Sequence, residues 1–140
     1  MPPRPLTLTS PDRETLGNIL STQNVANDEA RTLADLIIGL GESVVVRSED
    51  VSPTVVTLNS RVRVRTLGTD AMREFTVVVP GHADLRKGRI SVLTPVGAAL
   101  LGRREGDAVE CVVPAGKVGF RIEAVLYQPE AAGAVDAAAA

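Results

Sequence analysis

"TPVGAALLGRREGD", Thr94 to Asp107, is the stretch on which the C-terminal half turns. Gly97 and Gly102 stand at the G-x-x-x-x-G spacing of a phosphate-binding loop, directly after the strand-like "RISVL" (Arg89 to Leu93). Such a loop needs a lysine behind the second glycine and then a hydroxyl for Mg²⁺. Arg103 and Arg104 occupy those places instead, so the magnesium ligand is missing. Between the glycines stand Ala98, Ala99, Leu100 and Leu101, which favour helix. The stretch therefore predicts a short helix. Thr94 caps it, Pro95 takes the first helical position, and Val96, Ala99 and Leu100 face a sheet. Gly102 ends it in the left-handed conformation, and Gly106-Asp107 turns the chain into the next strand.

Around this helix the hydrophobic period is two. "RVRVR" sets Arg61, Arg63 and Arg65 against Val62 and Val64. "EFTVVVP" puts Phe75, Val77 and Val79 on one face, and "AVECVV" does so with Val109, Cys111 and Val113. "VGFRIEAVLY" sets Val118, Phe120, Ile122, Ala124 and Leu126 opposite Arg121, Glu123, Val125 and Tyr127. Alternation of this kind marks strands with one wet face. "PAGK" (Pro114 to Lys117) reads as a hairpin turn. The expectation is a mainly antiparallel sheet of about five strands with one short helix, followed by a frayed tail, "PEAAGAVDAAAA".

Before residue 50 the pattern is helical. Ser10-Pro11-Asp12 is a helix start, with Ser10 as the capping hydroxyl. Leu16, Ile19 and Leu20 follow on one face. "STQNVAN" breaks the pattern, and Asn27 caps a second helix with Asp28 and Glu29 in its first turn. Leu33, Leu36, Ile37 and Leu40 form its stripe, and Gly41 stops it. Two helices joined so closely run antiparallel. The fold class is α+β, with a helical hairpin over 1–46, a polar hinge over 47–53 ("RSEDVSP"), a sheet domain over 54–128 and a disordered tail over 129–140.

Composition narrows the function. The chain has 140 residues, 44% of them hydrophobic, and a formal net charge of −2, which suits a soluble globular protein and not a general nucleic-acid binder. The N-terminus has no apolar signal region, and no apolar run approaches the ~20 residues of a membrane span. One cysteine excludes an intrachain disulfide and is compatible with a reducing cytoplasm. One His and one Cys make no zinc pattern, and no serine sits in a nucleophile elbow, so no catalytic residue, metal or cofactor is expected. His82 reads as a loop histidine and Cys111 as core. Arg61, Arg63 and Arg65 read as a solvated strand face paired with acids on the next strand.

"ISVLTPVGAALLGRREGDAVECVVPAGK" (Ile90 to Lys117), with "VVTLNSRVRVRTL" (Val55 to Leu67) upstream, resembles the C-terminal domain of the Gre transcript-cleavage factors, which is similar in fold to the FK506-binding proteins. "LYQPEAAG" (Leu126 to Gly133) looks like the Gre-like branch of regulators of nucleoside diphosphate kinase, whose helical hairpin is shortened. The resemblance implies a cytoplasmic, monomeric, non-enzymatic protein that binds bacterial RNA polymerase at the rim of its secondary channel. It would compete there with longer-armed factors and pass near nucleic acid only within the complex. The family's rim contact is an acidic-Ser-Pro turn, matched here by Leu93, Thr94 and Pro95, with Leu93 in the acid's place. Asn27, Asp28 and Glu29 fall at the hairpin tip, where the family carries acids that help hold a catalytic Mg²⁺. Arms of about 12 residues span only ~18 Å, which implies a hairpin too short for the chemistry. Gre-like cleavage stimulation and prolyl isomerisation stay open as alternatives. The second is opposed by the presence of only three aromatic rings, Phe75, Phe120 and Tyr127.

Overall fold

The computed structural model describes residues 6–22, 43–113 and 116–132. The expected second helix, Pro114 and Ala115 of the expected turn, and residues 133–140 lie outside them. The architecture is mixed α+β. Strand β1 (Thr7–Thr9) leads into helix α1 (Ser10–Thr22), and β2 (Val44–Val46) pairs with β1 in parallel. A second sheet holds β3 (Arg61–Thr66), β4 (Met72–Val78), β5 (Arg89–Ser91), β6 (Ala108–Val113) and β7 (Gly116–Tyr127) in the order β5-β4-β3-β7-β6. All its pairings are antiparallel except β4 with β5. Helix α2 (Pro95–Leu100) lies between β5 and β6 in the chain.

Strand β3 follows its alternation: Val62 and Val64 are fully buried while Arg61, Arg63 and Arg65 are exposed. Strand β7 departs from the simple two-residue period. Its register against β3 skips one residue between Ile122 and Ala124 and again between Val125 and Tyr127. Each extra residue reverses which face follows. Val125 consequently packs against the core opposite Val62, while Leu126, expected inside, is exposed. The irregular stretch has its own partner, since the Val125 amide donates to Glu105 Oε1 at 2.8 Å.

Two glycines set the position of α2. A Cβ on Gly97 would stand 2.2 Å from the Ser91 carbonyl oxygen, so the helix lies against β5 at a distance only hydrogen allows. Gly102 has φ 79°, as a left-handed helix terminus requires, and a Cβ there would meet Leu6 Cβ at 2.9 Å. Its carbonyl accepts from the Thr7 amide at 3.1 Å and its amide donates to Val56 O at 2.8 Å. Gly102 therefore joins the end of α2 both to β1 and to the segment before β3. Leu8, Leu16, Val56, Leu58, Val92, Leu93, Leu100 and Leu101 fill the core on this side, with Val62, Val64, Val77, Phe120 and Ile122 from the sheet.

The start of α1 differs from the expectation by one residue. Thr9 is the cap: its Oγ1 accepts from the Asp12 amide at 3.2 Å, while the Ser10 hydroxyl donates to Val46 O. Thr9 is fully buried, which makes it the better placed hydroxyl. Asp12 is 8% exposed, and its carboxylate accepts from the Leu58 amide at 2.9 Å, tying α1 to the turn before β3. Residues 47–55 make contacts of their own. Arg47 pairs with Asp50 at 2.8 Å, and the Gln128 side-chain amide donates to both Ser52 O and Val55 O at 2.8 Å. Residues 128–130 pack back onto the same segment, while Ala131 and Ala132 are exposed. Gln128 and Pro129 are buried, and Glu130 Oε1 accepts from Thr57 Oγ1 at 2.7 Å. Only the fold places Ser52, Val55 and Thr57 within reach of 128–130.

Gly97→Ala should lower stability by roughly 1–3 kcal/mol, because the added methyl meets backbone that cannot give. Gly17→Ala, in α1 with nothing within 4 Å of the new methyl, should instead stabilise by about 0.4–1 kcal/mol. Urea denaturation of both variants checks the pair. A second expectation concerns pH. Burial pushes the Asp12 carboxyl up from 3.8 to about 6, against the opposing Leu58 hydrogen bond and with the charge of Glu130 adding to the rise. The folded state thus holds this proton more tightly than the unfolded chain. Stability from Asp12 is greatest below about pH 4 and falls as pH rises to about 6, by on the order of 3 kcal/mol. Asp12→Asn should flatten that part of the stability profile, measured by urea unfolding across the same pH range.

Candidate functional site

The turn between β5 and α2 is the first candidate. Ser91 organises it: its carbonyl accepts from the Thr94 amide at 3.0 Å and from Thr94 Oγ1 at 2.7 Å, and its hydroxyl accepts from the Leu93 amide at 3.0 Å. Thr94 Oγ1 in turn accepts from the Gly97 amide at 3.1 Å, with Pro95 at the start of the helix. The capping read from the sequence is therefore present. Both Thr94 and Pro95 are half-buried, so the turn shows one rigid, small surface. It carries neither nucleophile nor base, and what it can offer a partner is shape.

Leu93 is not part of that surface. It is 5% exposed and lies in the core cluster. The residue in the acid's place of the family turn is thus a core leucine, and Thr94 and Pro95 alone of the three are partly exposed. Asn27, Asp28 and Glu29 lie outside the described residues. Among the described residues no group of three His, Cys, Asp or Glu side chains could hold a metal ion.

The arginines of β3 do pair across strands. Arg61 Nε donates to Glu74 Oε1 at 3.0 Å, Arg63 reaches Glu74 Oε2 at 3.3 Å, and Arg65 reaches Glu123 Oε1 at 2.9 Å. The hydrogen bond from Arg61, assisted by Arg63, holds the Glu74 carboxyl below its ordinary range. Burial, assisted by the nearby charge of Glu110, pushes the Cys111 thiol up, as befits a core sulfhydryl. Phe75 and Phe120 meet edge-to-face at 6.4 Å and 84°, inside the sheet's covered face, while Tyr127 lies exposed on the other. The three rings therefore line no common pocket, and the isomerase alternative gains no support. Sequence reading missed Asp12 as a structural latch, since an acid in a first helical turn normally faces water; its partner, the Leu58 amide, is 46 residues away.

Comparison with known proteins bears on this geometry. The family described as "Transcription elongation factor, GreA/GreB, C-term" matches residues 51–127. A regulator of nucleoside diphosphate kinase from Escherichia coli (strain K12) is 44% identical over 87 residues, a segment spanning 61% of this chain and 63% of that protein. A transcription elongation factor GreA from Maridesulfovibrio salexigens is 38% identical over 72 residues, covering 51% of this chain and 45% of that protein. Among solved structures, a prokaryotic transcription elongation factor GreA/GreB from Nitrosomonas europaea superposes with a TM-score of 0.74 at 36% identity, over 89% of this chain and 100% of that one. The chain thus spans less than two thirds of the curated relatives it matches.

Thr94→Val keeps the shape of the turn but removes both hydroxyl contacts. It should cost about 1–2 kcal/mol, the usual range for a lost helix cap, read as a shift in the urea midpoint at unchanged slope.

Proposed function

The chain belongs to the GreA/GreB family of transcription elongation factors, and on that premise we propose that it is a non-catalytic regulator that docks on bacterial RNA polymerase near the secondary channel. The observation that carries this reading is the family match over 51–127, joined to a Thr94-Pro95 turn held rigid by Ser91 and still partly exposed. Residues 54–128 form an FK506-binding-protein-like docking unit, and Thr94 and Pro95 make its rim contact. The N-terminal segment, 1–46, is a short helical hairpin with Asn27, Asp28 and Glu29 at its tip, entering the channel without reaching the reacting atoms. Capping one end of α1 with Thr9 and latching it through Asp12 to Leu58 supports a fixed angle between arm and docking unit. The protein works as a cytoplasmic monomer, meets nucleic acid only within the complex, and uses neither metal nor cofactor. It excludes longer-armed factors by occupying their site, and any influence on nucleoside diphosphate kinase follows indirectly from transcription.

Purified RNA polymerase carrying a labelled GreA should release the label as this chain is titrated in. Pro95→Ala should need about tenfold more protein for the same release, a loss of about 1.4 kcal/mol. Backtracked complexes bearing this chain should show no gain in Mg²⁺-dependent RNA shortening. A label that stays bound at saturating protein overturns the shared site, and enhanced shortening overturns the non-catalytic role.

A further inference from the structure

The outer face of the five-stranded sheet carries a groove that the rim turn does not use. Register aligns Tyr127, Arg61, Thr76 and Arg89 in one row across β7, β3, β4 and β5. Neighbouring strands lie ~4.8 Å apart, which separates the backbones of the two arginines by roughly 10 Å with the Thr76 hydroxyl between them. His82, from the 3-10 turn Pro80–His82, and Asn59 close one end, and buried Val78 lies beneath. Asn59 holds φ 69°, a conformation uncommon for a residue with a side chain and concentrated at functional sites. The groove encloses about 470 Å³, within the size range of small-molecule sites. A hollow of about 280 Å³ shares Arg61, Thr76 and Arg89 with it and adds Lys87, Gly88 and the carboxylate of Glu74, which Arg61 and Arg63 already engage.

The cations here are only partly neutralised. Arg61 shares Glu74 with Arg63. Among the described residues, Arg89 and Lys87 have no carboxylate within 4.0 Å. Asp84, bridged to Arg89 through the backbone, turns its carboxylate to the Arg86 amide at 3.1 Å. A positive groove on a chain of net charge −2 is a local field, made by placement and not by composition. Guanidinium forks match oxyanions with paired donors. The Tyr127 ring, 44% exposed at the end of the row, adds a flat face beside them.

We propose that this groove binds the phosphate of a nucleotide, with Arg89 and Arg61 on the phosphate oxygens, Thr76 between them, and the base against Tyr127. The site lies on residues other than the Thr94-Pro95 turn, so it stands or falls separately from polymerase docking. Tyr127 is the chain's one tyrosine and there is no tryptophan, so its emission reports the groove directly. Pyrophosphate, transparent at those wavelengths, should change that emission saturably. Arg89→Ala should weaken the response at least tenfold. Arg121→Ala, exposed on the same sheet outside the groove, should leave it unchanged. Calorimetry with ADP and with a six-nucleotide single-stranded RNA then identifies the source: tighter ADP assigns a free nucleotide, tighter RNA a transcript end. Tyr127→Leu should bring ADP down to the level of pyrophosphate. A response that never saturates, equal weakening in Arg89→Ala and Arg121→Ala, or displacement of pyrophosphate by an equal concentration of polyglutamate overturns the proposal.

Discussion

The packing of this molecule depends on how closely other backbone segments approach the two ends of α2. At Gly97 the helix touches the Ser91 carbonyl, and at Gly102 the chain passes Leu6 and Thr7 at distances a methyl would block. These contacts bring three segments distant in sequence, 6–9, 55–58 and 91–102, into one core. Leu8, Val56, Leu58, Val92, Leu100 and Leu101 bury one another there. Because cores pack at crystal-like density, displacing α2 by even an ångström would open voids along all three. The two glycines of the opening motif thus serve close approach between backbones, a role that leaves no room for a phosphate.

The charges divide by face. On the outer face of the sheet, cross-strand pairs such as Arg61–Glu74 and Arg65–Glu123 are exposed and contribute little to stability singly. They keep the face wet and set its sign locally. At the start of α1 the situation is reversed. Asp12 is buried in the first turn of α1, and that burial, with the nearby charge of Glu130, raises the cost of its ionised form. Its hydrogen bond to Leu58 secures geometry, because a buried acceptor lost from that amide would leave the donor unsatisfied. The latch joins the first turn of α1 to the segment just before β3.

Much of the architecture was legible in the sequence because it rests on local rules. Thr94-Pro95 at a helix start, Gly102 at its end, and the period of two in 61–65, 74–80 and 108–113 each follow from backbone preference and side-chain alternation. The paired arginines of β3 were legible for the same reason, since a strand face rich in one charge calls for its opposite next door. The Thr94-Pro95 turn could be located, though not the burial of Leu93 beside it, which only the packed core decides.

What the sequence by itself determined is therefore the start of α1, the short helix after Thr94, the strands of the larger sheet, and the family to which their punctuation belongs. Tertiary structure alone decided the parallel pairing of β1 with β2, the irregular register of β7, the return of 128–130 onto Ser52, Val55 and Thr57, and the burial of Asp12. The physical reason is range. Capping, turns and periodicity act within a few residues and leave their mark on neighbouring letters. The contacts of Asp12 with Leu58 and of Gln128 with Ser52 join partners 46 and 76 positions apart, whose proximity exists only once the chain has closed on itself.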